Sequence, residues 1–417
     1  MEAFAYADRD EEGRWKAPML PGPTLRARVG DTLVLTLQND LAVPTTIHWH
    51  GVAAPVAMDG AAWMDAPIPA GGTFTYTVPL TTAGTSWYHP HVGVDAQVDL
   101  GLYGFLVVEA PEEPAFDTEL LLAFDTWGEG PGAELAGGSH ARSAPPPASD
   151  TGMDTAHGGG DPHGGGGGAL RWLVNGRADA RVSVRAGARV RARLLNASNA
   201  AYLDLRGPLA RLLADDQGLL GSGLPSDRLV LAPGDRVEVE WLPGAEPFAL
   251  QAAPFALLGG EALGAPQDVL AVDVQGEDTP AAPVALPFDG ALPTPDPGRT
   301  DVRYVLSGDV HADDWRINRE AWPDVTPTDL VLGQEVVIEV RNLSPSRHPF
   351  HVHGHRLEVL SIDGVAPATR TVVDNQDVGI REVVRFRMVA DNPGEWMVHC
   401  HVLGHEEHGM MTLLRVR

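Results

Sequence analysis

The sequence predicts an all-β protein built of three consecutive β-sandwich domains. Three observations carry that expectation. The chain has 417 residues, about three domains at ~150 residues each. One pattern recurs three times along it. Short alternating runs bounded by glycine and proline dominate, and helical periodicity is scarce, the signature of sheets packed on sheets.

Each copy of the pattern opens with a glycine followed nine residues later by an asparagine: Gly30 to Asn39, Gly187 to Asn196 and Gly333 to Asn342. In the first, Leu33, Leu35 and Leu37 alternate with Thr32, Val34 and Thr36, a half-buried strand after a turn. A second alternating run follows in each copy, TFTYTV at 73–78, RVEVEW at 236–241 and VVRFRM at 383–388, and then a turn at Gly84, Gly244 or Gly394. Domains are expected at 1–112, 113–284 and 285–417, divided at PEEP and at PFDGALPTPDPG. Helix is expected to be minor. The Gly/Pro/Ser tract at 131–168, which holds His140, Met153, His157 and His163, cannot bury a core. It is expected to be a disordered, solvated insertion in the middle domain.

Charge narrows the partners. Lys+Arg is 30 against 56 Asp+Glu, a net charge of −26, which argues against nucleic acid and against an anionic membrane surface. No run approaches the ~20 apolar residues of a membrane span. Cys400 is the single cysteine, so no intramolecular disulfide forms.

The three copies diverge five residues after the turn glycine. The first reads His89-Pro90-His91, the third His399-Cys400-His401, and the middle one Ala249-Leu250-Gln251. The outer copies also share His48-Trp49-His50-Gly51 and His351-Val352-His353-Gly354. On a strand, His-x-His puts both imidazoles on one face. One such pair is often structural. Four pairs in two related domains, without metal, would bury many unpaired polar atoms. Imidazole suits copper, zinc, iron and nickel alike, so the cysteine decides. Cys400 is followed by His405 and Met410, and His348 lies upstream. A thiolate, two imidazoles and a thioether form the blue-copper set, whereas zinc usually takes more cysteine or a carboxylate. Alternation turns His399 and His401 to one side and Cys400 to the other, so one tripeptide meets two metal centres. The middle domain, without ligands, reads as a spacer.

These motifs resemble the multicopper oxidases, in their three-domain bacterial laccase-like branch. The likeness spans nearly the whole chain: PGPTLRARVGD, HWHG, WYHPH, GLYG, RLLNAS, HPFHVHGH and HCHVLGHEEHGMM. It implies cupredoxin-like Greek-key sandwiches and four copper ions. The type 1 copper would take His348, Cys400 and His405, with Met410 axial. The type 2 copper would take His48 and His351. The type 3 pair would take His50, His89 and His401 on one ion and His91, His353 and His399 on the other. The resemblance also makes Asp59 and Glu406 proton donors to the cluster. On residue type alone Asp59 is a turn residue before Gly60 and Glu406 an exposed charge. His355 reads as a neighbour of the ligands or a plain core or surface residue, His408 as exposed beside the type 1 site, and His311 as a loop residue.

The implied activity is one-electron oxidation of phenols and aromatic amines coupled to reduction of O2 to water. The alternative is a metallo-oxidase acting on Cu(I) or other metal ions in copper tolerance. The chain has nine methionines but no methionine-rich cap, which favours phenols, because soft thioethers select Cu(I). A simple electron carrier would not need eight further histidines, and a copper nitrite reductase carries its cysteine in the first domain, where Pro90 stands here. The resemblance implies a periplasmic or secreted protein. MEAFAYADRDEEGR at the start has no apolar core and does not read as a signal peptide, so the chain is expected to be the mature product.

Overall fold

The computed structural model describes residues 3–417 apart from 62–65, 112, 129–169, 210, 220–224, 260–261, 263, 278–281 and 285–292. The tract 131–168 lies outside the described residues, as do parts of both expected linkers.

The recurring Gly-to-Asn strand pairs antiparallel with the alternating run that follows it in every copy. Thr32–Gln38 pairs with Thr73–Pro79, Val190–Asn196 with Arg236–Trp241, and Glu335–Asn342 with Val383–Val389. The shared asparagine ends each strand in the same way. Asn39 Nδ2 donates to the carbonyls of Val43 and Ile68, Asn196 Nδ2 to those of Ala201 and Leu231, and Asn342 Nδ2 to those of Ser346 and Val378. Its Oδ1 accepts from the backbone N–H two residues on, of Leu41, Ser198 or Ser344. This is an Asx turn that also ties two segments together, and no hydrophobic residue could satisfy those buried carbonyls.

Around these hairpins stand the two sheets of each sandwich. In the first, Leu25–Arg28, Gly104–Glu109, Gly84–His89 and His48–His50 form the facing sheet in that order. In the third, the equivalent order is Thr328–Leu330, Met411–Val416, Gly394–Cys400, His348–Val352 and Asn375–Val378. The middle sandwich repeats it with Arg181–Arg185, Gln267–Gln275, Phe248–Ala253, Leu203–Arg206 and Arg228–Leu231. In each, the first pair is parallel and the next antiparallel, so the three copies share topology as well as pattern. Apolar residues of both sheets fill each interior, with Phe350, Phe386 and Trp396 central in the third. Each such side chain contributes about 1.5–3 kcal/mol by leaving water.

Helix is minor, as expected. Two short helices, Val94–Asp99 and Leu403–Glu407, follow the His-x-His segments of the outer sandwiches and pack on each other. Among the described residues no helix is long and apolar enough to cross a membrane.

Candidate metal centres

The third sandwich builds a pocket around its cysteine. Phe350 pairs with Cys400 in the sheet ladder, which brings the start of His348–Val352 beside the end of Gly394–Cys400. His348 Nδ1 lies 3.4 Å from Cys400 Sγ, and His405 Nδ1, delivered by the helix Leu403–Glu407, lies 3.6 Å from it. The two ring nitrogens are 3.2 Å apart. Met410 is fully buried in the same apolar cluster. Its N–H donates to the His405 carbonyl and its carbonyl accepts from the Cys400 N–H. Behind the ligands, the Trp315 ring stacks on His405 at 3.8 Å and Ser344 Oγ lies 2.5 Å from His348 Nε2. Burial pushes the Cys400 thiol up, so a thiolate here needs a cation beside it.

Beyond the same strand end, eight imidazoles converge between the first and third sandwiches. The registers mirror each other, with His48 opposite His89 and His351 opposite His399. His48 stacks on His353 at 3.9 Å and His50 on His351 at 3.8 Å. Ligand atoms of His48, His351 and His353 lie within 4.8 Å of one another, as do those of His50, His89 and His401, and of His91, His353 and His399.

The donors fit a metal. Nδ1–H groups of His48, His89 and His351 donate to the backbone carbonyls of Asp59, Pro90 and Asp374 at 3.0, 2.8 and 2.8 Å. That tautomer leaves Nε2 as a lone pair. The Nε2 atoms of His48, His50, His89, His91, His351 and His401 are buried with no hydrogen-bond partner, a costly arrangement unless a cation receives them. Burial, and then the neighbouring imidazoles, hold His50, His89, His351 and His353 well below the usual histidine range. Burial is also the main cause that lowers His91 to about 4 and His401 to about 3. These rings are therefore neutral near pH 7.

Both candidate acids touch this cluster. Asp59 is 2% exposed; its Oδ2 lies 2.7 Å from His353 Nδ1 and its Oδ1 3.3 Å from His48 Nδ1. It also follows a 3-10 turn at Val56–Met58, so the turn reading and the cluster reading hold together. Glu406 is not an exposed charge: it is buried, with Oε2 at 3.0 Å from His399 Nδ1 and Oε1 at 3.5 Å from His91 Nδ1. Burial alone would raise its carboxyl, but His399 and His91 draw it down to about 2. His355 is buried and packs edge-on against Trp396. His408 is exposed, with Nδ1 bonded to the Gly404 carbonyl, and His311 is exposed on a turn.

The spacer reading of the middle sandwich needs correction. Gln217 and Arg236 reach the histidine cluster through Asp374 of the third sandwich. Asp374 Oδ2 lies 2.7 Å from His50 Nδ1 and 3.6 Å from His351 Nδ1. Arg236 Nη2 donates to Asp374 Oδ1 at 2.5 Å and Gln217 Nε2 to the same oxygen at 3.0 Å. Gly234 passes directly beneath His401, where an added Cβ would stand 3.0 Å from Nδ1. A narrow gap between the sandwiches is lined by His48, Gly51, Gln217, His351, His355 and Asp374. None of Gln217, Arg236 and Asp374 carries a local motif; an arginine opening an alternating run looks like any solvated strand end.

Comparison with known proteins agrees with this geometry. Family models described as multicopper oxidase match residues 15–113 and 294–417. The chain is 32% identical to the multicopper oxidase MmcO of Mycobacterium tuberculosis, over 95% of this chain and 81% of that protein. The crystal structure of a multi-copper oxidase from Pseudomonas thermotolerans superposes with a TM-score of 0.76 at 28% identity, covering 99% of this chain and 98% of the other. A Campylobacter jejuni multicopper oxidase, described as a metallo-oxidase, superposes at 0.77 with 26% identity, covering 99% and 90%. With both outer sandwiches matched and a relative this similar over 95% of this chain, the chain belongs to the multicopper oxidase family, which implies copper as its metal.

Proposed function

We propose that this oxidase takes electrons singly from phenols and aromatic amines at the edge formed by His348 and His405, and that oxidation of Cu(I) or other metal ions is secondary. The observation that carries the reading is the two-sided tripeptide. Cys400 Sγ belongs to the pocket of His348 and His405, while its neighbours His399 and His401 belong to the eight-histidine cluster. The ligand sets are a type 1 copper on His348, Cys400, His405 and Met410, a type 2 copper on His48 and His351, and a type 3 pair on the remaining six histidines. Bound copper supplies the one-electron steps and the reduction of O2 to two waters. The chain supplies the rest. Cys400 joins the two pockets covalently through its own backbone. Asp59 and Glu406, each against two cluster histidines, stand where a carboxylate can take up protons and pass them toward the reacting oxygen. Met410, a weak thioether ligand, sets a low-to-moderate potential.

The surface beside the cysteine pocket supports an aromatic substrate. Arg347 precedes His348, and its guanidinium stands 5.8 Å from the Phe255 ring, which stacks on Tyr202 at 4.9 Å and 6°. Tyr202 is buried beneath this stack, and the half-buried Phe255 and Arg347 leave an aromatic and guanidinium edge that suits a phenol or aniline ring. A metal-ion reading is favoured by the Campylobacter jejuni relative. Against it, Met388, Met397, Met410 and Met411 are buried, and Met19 stands exposed at 48% away from any methionine cluster among the described residues. Oxygen uptake measured side by side on a phenol panel, an aromatic amine, Mn(II) and Cu(I) tests the reading. Phenols and amines are expected to show the higher kcat/KM; a higher value for Cu(I) overturns it.

A further inference from the structure

We propose that Arg236, from the middle sandwich that holds no copper ligand, is a positioning residue for the histidine cluster. It acts by fixing the Asp374 carboxylate against His50 and His351. The proposal rests on the ligand sets given under the proposed function.

Arg236 is fully buried and sits where all three sandwiches meet. Its Nε donates to the Thr85 carbonyl of the first sandwich at 3.1 Å. Its Nη1 donates to the Gly234 carbonyl at 3.0 Å and lies 3.3 Å from Asp216 Oδ1, both within the middle sandwich. Toward the third sandwich it makes a two-pronged contact with Asp374, Nη2 to Oδ1 at 2.5 Å and Nη1 to Oδ2 at 3.3 Å. A planar guanidinium against a carboxylate defines orientation as well as attraction. Gln217 donates a further bond to Asp374 Oδ1 and another to the Gly51 carbonyl, directly after the ligand His50. Asp374 is thus held by three hydrogen bonds from two side chains before it meets any histidine.

What Asp374 then does is defined by its other oxygen and its backbone. Oδ2 lies 2.7 Å from His50 Nδ1, the Asp374 carbonyl accepts from His351 Nδ1 at 2.8 Å, and Arg236 Nη1 comes within 3.3 Å of the same His50 nitrogen. His50 and His351 stack at 3.8 Å with 13° between their planes, and they come from different sandwiches and serve different coppers. Outer partners that fix a ligand ring tune metal affinity. Space is closed around the device: at Gly51, whose φ is +88°, an added Cβ would lie 2.6 Å from Arg236 Nη2. The middle sandwich therefore contributes one cation, brought to the seam between the two ligand-bearing halves.

The test compares copper-loaded parent, Arg236→Lys and Arg236→Met, read by copper content per chain, the paramagnetic signal of the type 2 copper, and the intense visible band of the type 1 copper. The visible band should be unchanged in all three, because no atom of the cysteine pocket contacts Arg236 among the described residues. Arg236→Met should lose type 2 copper, close to one ion per chain. Arg236→Lys should keep the copper but shift the type 2 signal, since the charge stays and the planar two-pronged contact goes. Full copper with an unaltered type 2 signal in Arg236→Met overturns the proposal. Proportional loss of both signals in a folded Arg236→Met variant overturns it as well. Should Arg236→Met fail to fold, Asp374→Asn approaches the same contact from the third sandwich and must shift the type 2 signal with the visible band intact. A parent that itself shows no type 2 signal would instead refute the ligand sets.

Discussion

The two metal pockets share one tripeptide and are built in opposite ways. The cysteine pocket draws His348, Cys400, His405 and Met410 from a single sandwich: one sheet ladder, the short helix that follows it and the residue just before the next strand. The histidine pocket takes His48, His50, His89 and His91 from the first sandwich, His351, His353, His399 and His401 from the third, and is braced by Gln217 and Arg236 from the middle. The first pocket needs one domain to fold. The second needs three domains to dock, and its geometry is therefore only as good as the interfaces that hold it.

The largest effect should come from cutting the one element both pockets share. Cys400→Ser should abolish the visible band and reduce phenol turnover to background, while the histidine pocket, whose eight rings are untouched, keeps its copper. A serine variant that stays blue would break the comparison at its centre. Next comes Asp59→Asn, which alters the histidine pocket alone. Reoxidation by O2 should slow by about 10²-fold, the usual scale for losing a general acid, with the rate of type 1 reduction by substrate unchanged in stopped-flow records. Equal reoxidation rates would remove Asp59 from proton delivery.

A third variant loosens docking without touching either pocket. Glu238 is buried between Arg191 and Arg193, with bonds of 2.7 and 2.5 Å, and accepts from Thr85 of the first sandwich at 2.6 Å. Glu238→Leu removes the fully buried anion between the two arginines and leaves them Glu113 and Glu119, which should cost about 1.5–3 kcal/mol, the scale of a lost charged hydrogen bond. In denaturant titrations, type 2 and type 3 copper should be released before the visible band is lost. Simultaneous loss would mean that the cysteine pocket depends on docking as much as its neighbour does.

The smallest effect is one of pH and lies within the third sandwich. Burial opposes ionisation of Glu339, but Arg341, Arg303 and Arg385 around it, at 2.6, 2.8 and 2.9 Å, bring its carboxyl down to about 2. A folded-state value below the unfolded one gives stability that is complete above about pH 4.5 and lost as pH falls toward 2. Glu339→Gln should therefore flatten the acid limb of the melting temperature by a few degrees at most and leave the neutral-pH metal spectra unchanged. An unaltered acid limb would show the network to be inert.

How much of this was legible beforehand varies with the distance over which each feature is decided. Gly30 to Asn39 and its two repeats mark real strands, because alternation and an Asx turn are set by neighbours in sequence. His399, Cys400 and His401 announce two sites because side chains on a strand alternate. Glu406 reads as an exposed charge on residue type alone and joins the cluster only through the family resemblance, since nothing local says that the helix Leu403–Glu407 turns it inward between His91 and His399. Arg191 and Arg193 mislead in the same way. They stand in a run that looks like a solvated strand face, yet both faces of Val190–Asn196 are buried, because the outer one packs on the first sandwich.

The sequence by itself determined the all-β class, the threefold repeat and the set of copper-binding residue types, since each follows from period-two alternation, turn chemistry and the donor atoms side chains carry. The tertiary structure alone decided that Asp374 also faces the histidines and that Arg236 orients it. Those contacts join residues as far apart as Arg236 and Asp374, 138 positions along the chain, and a buried arginine and a solvated one are the same letter until the domains close around it.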